Sequence, residues 1–151
     1  MIDATEMKNH MWNVIGAIHE VHKHMGPGLN EYVYQEALEM ELRIQNIPYI
    51  RELSFHPKYK GTEMAATYKI DFICKDDIII ELKAVDALNI NHKAQLFNYM
   101  RLLNAKVGII VNFSPKYAQI ERYLYDSCNK EILTVNGEPL IKTDEIDLLL
   151  R

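Results

Sequence analysis

Cysteine is scarce in this chain, with only Cys74 and Cys128 among 151 residues. Two thiols cannot build the disulfide framework on which a small secreted domain depends. Cys74 falls inside a strand-like stretch, where a reduced, buried thiol is expected. No apolar run approaches the roughly 18 residues of a membrane span. The opening MIDATEMKNH lacks the charged-then-apolar layout of a secretory leader. Internal repeats and low-complexity tracts are also missing. Excess positive charge is absent too. The formal net charge is −4, which argues against a protein that coats nucleic acid by bulk attraction. These absences predict a soluble, intracellular, cytoplasmic protein with no membrane partner.

What is present is ordinary in amount and informative in order. The chain is 48% hydrophobic and 25% charged, as expected of a globular protein. Its length fits one domain that needs no covalent staples. Residues 3–25 predict an amphipathic helix, with Met7, Met11, Val14, Ile15, Ile18 and Val21 on one face. Asp3 and Glu6 have the offset of a capping box, and "GPG" at 26–28 stops the helix. A second helix is expected from a cap at Asn30 to about Asn46, with Tyr34, Leu38 and Leu42 as its apolar stripe. Strands are expected at about 49–56, 64–74 and 78–84, with a turn at "KG", 60–61. Asn89 to Asn104 predicts a third helix, with Leu96, Met100 and Leu103 on one face. "KVGIIVNF" at 106–113 suits a central strand, and "QIERYLY" at 119–125 an edge strand. "NG" at 136–137 is a hairpin turn signal; the final EIDLLL is ambiguous. The order is α-α-β-β-β-α-β with a β-rich tail, an α/β mixture around one mixed sheet.

The stretch from Tyr68 to Ala84, "YKIDFICKDDIIIELKA", raises the chemical question. It is apolar and β-branched, yet holds Asp71, Glu81 and Lys83, charges that are costly to bury unless paired or bound to a metal. Alternation places Ile78, Ile80 and Leu82 on the buried face, and Ile79, Glu81 and Lys83 on the other. On the preceding strand it groups Ile70, Phe72 and Cys74 against Lys69, Asp71 and Ile73. A three-residue loop, Lys75 to Asp77, pairs Cys74 with Ile78, Phe72 with Ile80 and Asp71 with Glu81. Opposed side chains have Cβ atoms about 5 Å apart. Two carboxylates so placed repel unless a cation or a proton lies between them. A two-residue loop would mix the two faces. The alternative reading is a plain salt bridge among Asp71, Glu81 and Lys83 on a half-exposed sheet face.

Other signals do not hold. "HEVH" at 19–22 has its second His one place too early for the HExxH zinc motif, and "GPGLNE" lacks the third Gly and preceding strand of a dinucleotide loop. Lys93, Arg101 and Lys106, on or just after the third helix, are candidates for a basic rim that meets phosphates. A solvated charged face is the commoner meaning of such scattered residues.

Asp71 followed ten residues later by "ELK" at 81–83 resembles the D…(D/E)xK signature of the PD-(D/E)XK nuclease superfamily. "GLNEYVY" at 28–34 reads as GxxExxY, the motif of the GxxExxY family within it. "QLFNY" at 95–99 reads as QxxxY, and "VNF" at 111–113 resembles the strand that follows that helix. The superfamily's Pro before Asp is replaced here by Ile70. The resemblance covers roughly residues 10–125.

The resemblance implies a single PD-(D/E)XK nuclease-like domain over residues 1–151. Its core would be restriction-endonuclease-like, a mixed β-sheet flanked by helices in the order α-β-β-β-α-β. It implies a metal-dependent deoxyribonuclease with Glu31, Asp71 and Glu81 as metal ligands. Oxygen donors suit Mg²⁺ or Mn²⁺ rather than zinc. Lys83 would orient the attacking water and stabilise charge on the phosphate. Gln95 would brace the water or Lys83, and Tyr99 would contact DNA or the site. Each has a plainer reading. Glu31 can serve as an acid in the first turn of a helix, and Gln95 and Tyr99 as a polar border residue and a half-buried ring. Tyr34 is expected to pack, Gly28 to permit a positive φ, and His92 to be solvated at the helix start. DNA is the expected partner, with RNA a weaker option. A homo-oligomer and protein partners are left open. The alternative function is a catalytically silent module of this fold that binds DNA or a protein.

Overall fold

The computed structural model describes residues 2–151. The first helix, α1 (Ala4–Met25), starts where expected, because the Asp3 carboxylate accepts the backbone N–H groups of Thr5 and Glu6 at 3.0 and 3.1 Å. Met7, Met11, Val14, Ile18 and Val21 are buried along one stripe. Gly26, at φ 71°, ends the helix. The second helix, α2 (Glu31–Ile44), buries Tyr34, Leu38 and Leu42. Asn30 has the extended backbone of a cap but makes no side-chain cap bond.

The strands are β1 (Tyr49–Phe55), the short β2 (Lys58–Tyr59) and β3 (Thr62–Glu63), then β4 (Tyr68–Cys74) and β5 (Ile78–Lys83). Helix α3 (Ile90–Leu103) crosses to β6 (Val107–Asn112), followed by β7 (Gln119–Asp126), β8 (Glu131–Thr134), β9 (Pro139–Lys142) and a 3-10 helix, Thr143–Leu150. Seven strands form one sheet in the order β1-β4-β5-β6-β7-β8-β9. Only β5 and β6 run parallel, as the α3 crossover between them requires. This is the mixed sheet flanked by helices that the sequence predicts.

Helices α1 and α2 cover one face, packing on Phe72, Cys74, Ile78, Ile80 and Leu82. Helix α3 covers the other, where Ile73, Ile79 and Ile110 meet Leu96, Phe97 and Met100. Each fully buried aliphatic side chain of this kind contributes about 1.5–3 kcal/mol. Gly108 lets α3 approach: a Cβ there would lie 2.3 Å from the Met100 sulfur.

Several expectations are corrected. The second face of β5 is not half-exposed, since α3 seals it and Glu81 itself is buried. QIERYLY is not an edge, because β7 pairs with β6 on one side and β8 on the other; the C-terminal tail extends the sheet past it. The 64–74 strand is shorter than expected. It starts only at Tyr68, and the Lys60–Gly61 turn closes a separate two-stranded hairpin of Lys58–Tyr59 and Thr62–Glu63. The ambiguous EIDLLL lies in the 3-10 helix, with Ile146 buried against the α3 core.

The most informative correction concerns Ile70. Strict alternation groups it with Phe72 and Cys74, yet it packs in the α3 core with Ile73. On β1 the same switch occurs: Tyr49 packs on the α1–α2 core, whereas Leu53 and Phe55 pack on the α3 core. Glu52, between them, has a left-handed backbone, φ 54°. That conformation costs a non-glycine residue about 1–2 kcal/mol. The paired residues of β1 and β4 step from Arg51–Phe72 to Leu53–Ile70, skipping Glu52 and Asp71. Both strands therefore swap faces at one level, and Asp71 stands at that level.

Candidate active site

The hairpin of β4 and β5 has the expected register, with Cys74 opposite Ile78 and Phe72 opposite Ile80. The ladder stops there. At the next level the carboxylates replace backbone pairing. Asp71 Oδ2 accepts the Leu82 N–H at 2.8 Å, and Glu81 Oε1 accepts the Asp71 N–H at 3.4 Å. Asp71 is thus unpaired through its main chain to both β1 and β5. It sits in a gap that its own side chain and that of Glu81 bridge.

The electrostatics of this gap are unfavourable as it stands. Burial, then the neighbouring Asp71 carboxylate, push Glu81 up to about 9. The pair therefore holds a proton at neutral pH. Lys83, one pleat further along β5, pulls in the opposite direction but does not win. Among the described residues Lys83 forms no ion pair within 4.0 Å. The plain salt bridge among Asp71, Glu81 and Lys83 is therefore not made. The acidic pair carries a proton although an ammonium group stands nearby.

Glu31 opens α2 and reaches the same region from the opposite layer. Burial raises it above the usual carboxylate range, Asp71 raises it further, and Lys83 lowers it. The GLNEYVY stretch explains how it is held. Gly28 takes φ 88° in the turn. The Tyr34 hydroxyl donates to the Gly26 carbonyl at 2.5 Å and accepts the Leu29 N–H at 3.1 Å. Its fully buried ring stacks on Phe113 at 4.4 Å. Tyr34 is thus the clasp of the loop that presents Glu31. Among the described residues, no three His, Cys, Asp or Glu side chains are gathered tightly enough to hold a metal ion. Asp71 and Glu81 are in contact, and Glu31 is near enough to feel the charges of Asp71 and Lys83 without joining them in such a group.

Helix α3 supplies the wall. Tyr99 is buried, edge-on to Phe55 and Tyr68. Burial first, then Glu81, Tyr68 and Asp71, push its phenol up to about 12, so it remains a hydrogen-bond donor. Gln95, one turn earlier, is exposed. It lines a groove of about 340 Å³ with Tyr68, Asn98 and Tyr99. It makes no hydrogen bond to Asp71, Glu81 or Lys83 among the described residues.

Two residues were undervalued by the sequence. His92 closes a reciprocal capping box with Asn89 and is lowered by burial and by Lys83. The Asn-x-x-His spacing was the available signal. Asn112 is fully buried. Its Oδ1 accepts the N–H groups of Val85 and Ser114, and its Nδ2 donates to the Val85 carbonyl. It latches the segment leaving Lys83. The basic rim, by contrast, is dispersed. Lys93 pairs with Glu121 at 3.0 Å and Arg101 bonds Asn98. Lys106 precedes Val107, the partner of Ile78, so it lies at the far end of β5 from Lys83.

The helix-flanked mixed sheet thus carries an acidic pair and a lysine at a break in its β4–β5 hairpin. The family model of the PD-(D/E)XK nuclease superfamily matches residues 8–123, and the chain belongs to that superfamily. No curated protein matches the chain significantly. Among solved structures, the crystal structure of SSO0001 is similar, with a TM-score of 0.52 and 23% identity over 80% of this chain. The match spans 55% of that chain, so this chain covers little more than half of its length. That likeness supports the fold. Among the described residues, no helix is long and apolar enough to cross a membrane.

Proposed function

We propose that the chain is a Mg²⁺- or Mn²⁺-dependent deoxyribonuclease, a cytoplasmic member of the GxxExxY branch acting as one domain. The observation that carries this reading is the buried Asp71–Glu81 pair, set at the break in the β4–β5 ladder beside an ammonium group that forms no salt bridge with it. A buried carboxyl pair that keeps a proton at neutral pH is a site short of positive charge. The donor set fits a hard divalent ion: Asp71 and Glu81 in contact, with Glu31 approaching from α2. Such an ion, when bound, lowers the pKa of water and offsets charge on a phosphate.

The chain's own residues do the rest. Lys83 sits beside the pair on the same strand face and, through its ammonium, holds the water or a phosphate oxygen. Asn112 keeps the segment after Lys83 in place. The Tyr99 phenol, protonated at working pH, offers a donor to the substrate. Gln95, exposed on the same side of α3, is available to a bound nucleic acid rather than to the metal. The test is cleavage of labelled single-stranded, duplex and branched DNA with Mg²⁺ or Mn²⁺. Cleavage that stops in EDTA and in Glu81→Ala supports the reading; full activity in EDTA ends it.

A second reading, a catalytically silent module that binds DNA or a protein, is favoured by one observation. Asp71 Oδ2 and Glu81 Oε1 accept main-chain N–H groups, and Glu31 does not join them in a metal-binding group. Calorimetry with Mg²⁺ separates the two. Binding that disappears in Glu81→Ala favours hydrolysis, and no binding by the wild type favours the silent module.

A further inference from the structure

A second feature lies at the Lys83 end of the sheet, outside the acidic site. The chain leaves β6 at Asn112, and the next N–H, that of Phe113, donates to the Lys83 carbonyl at 2.9 Å. Phe113 stacks on Tyr34, the clasp of the Glu31 loop. His22 of α1 then pins the following loop, its Nε2 lying 3.1 Å from the Phe113 carbonyl and 3.0 Å from that of Pro115. Both partners are acceptors, so Nε2 carries the proton. The loop from Phe113 to Tyr117 is thereby fixed to the end of α1. Between them runs a groove of about 550 Å³, lined by His19, His22, Lys23, Lys116 and Tyr117 beside the Gly26–Pro27 turn.

The chemistry of the groove is one-sided. None of its lining residues is acidic, although the chain carries a net charge of −4. Among the described residues Lys23 and Lys116 form no ion pair within 4.0 Å. The nearby Glu20 is bound to His24 at 2.6 Å. Tyr117 is 77% exposed, and the Lys116 ammonium lies 5.5 Å from its centroid. Unpaired cations beside an open aromatic face are the elements that bind a single strand: phosphates follow the charge and an unpaired base stacks on the ring. A duplex hides its base faces and has no use for the ring.

We infer that the Lys23–Lys116–Tyr117 groove holds an unpaired DNA strand entering or leaving the Asp71–Glu81 site. The inference rests on the proposed DNA substrate and adds a strand preference to it. In this arrangement Tyr117 stacks one base, and Lys23 and Lys116 contact phosphates on either side.

The test is binding without turnover. Fluorescence anisotropy of a labelled single-stranded oligonucleotide of about 12 nucleotides is measured in EDTA on the full chain. Tyr117→Ala is expected to weaken single-strand binding about ten-fold and to leave duplex binding unchanged. Lys23→Gln with Lys116→Gln is expected to flatten the plot of log K against log salt by about 1.4. All three side chains are exposed, and thermal melts confirm that the variants fold. Unchanged affinity and salt slope in both variants overturn the groove. So does equal loss of duplex and single-strand binding in Tyr117→Ala, a preference for RNA or duplex, or no single-strand binding by the wild type. Cleavage with Mg²⁺ is read separately. Variant-sensitive binding without any cleavage supports the groove while ending the nuclease reading.

Discussion

The two ends of the β4–β5 hairpin carry similar charges and treat them in opposite ways. At the loop end, Asp77 is 2.6 Å from His10 of α1, and Lys75 donates at 2.7 Å to the His10 carbonyl and to Asn13. The ladder there is complete to the last pair, Cys74 with Ile78. At the open end, Asp71 and Glu81 lie against each other, the ladder is interrupted, and Lys83 forms no ion pair. Charges that serve only the fold are met by hydrogen-bonding neighbours. Those at the open end are left unbalanced by the same strands, and a buried imbalance of this kind is the mark of a candidate functional site.

The largest test of this contrast is removal of a charge at the open end. Glu81→Ala is expected to abolish the heat of Mg²⁺ binding and to lower DNA cleavage by about 10²–10³-fold or more. Asp77→Ala, at the loop end, is expected to leave both unchanged. Equal loss of cleavage in the two variants would show that the contrast carries no functional meaning. The same experiment with Lys83→Ala should reduce kcat while Mg²⁺ still binds, since the ammonium is no ligand.

The clasp that presents Glu31 gives the next effect. Tyr34→Phe removes one donated and one accepted hydrogen bond from a fully buried ring. It should cost about 1–3 kcal/mol in urea unfolding. If Glu31 is a ligand, Mg²⁺ affinity should fall by about 10–100-fold as well, the usual effect of releasing a ligand's support. A lowered stability with unchanged affinity would remove Glu31 from the metal set and leave Asp71 and Glu81 alone.

Much of this arrangement was readable before any coordinates. The apolar alternation of Phe72 with Ile80 and Cys74 with Ile78 set the hairpin register, because a one-residue slip would turn the apolar set outward. The break at Asp71 was not readable. It depends on the left-handed Glu52 of another strand, and nothing about a glutamate between Arg51 and Leu53 signals a positive φ. The sealed second face was missed because a short apolar run looks alike whether one face or both are covered. Glu31 was placed by the GLNEYVY spacing, and the structure adds the Tyr34 clasp that makes sense of it. The basic groove could not be found by spacing, since His22 and Pro115 are 93 positions apart.

The pH dependence of the metal-free protein sharpens the contrast at smaller scale. Folding raises Glu81 from 4.5 to about 9. Between those values the native state holds a proton that the unfolded chain has released. Stability then falls as pH rises, fully present below about 4.5 and lost as pH passes through about 9. In EDTA, urea midpoints of the wild type should therefore decline between pH 5 and pH 9. Glu81→Gln should remove that slope and be the more stable protein at the alkaline end. A wild-type midpoint that rises over this range would contradict the buried, protonated pair.

The smallest expected effect belongs to the loop end. Asp77→Asn removes a part-buried pair with His10 whose two side chains are 25% and 27% exposed. Pairs of this exposure contribute about 0.2–1 kcal/mol, and less as salt screens them. The variant should lose no more than that at low ionic strength, recover part of it in high salt, and keep its Mg²⁺ affinity throughout. The sign matters more than the size. Neutralising Asp77 lowers stability, whereas neutralising Glu81 raises it at alkaline pH, because one carboxylate has its hydrogen-bond partner in place and the other is buried against a second carboxylate.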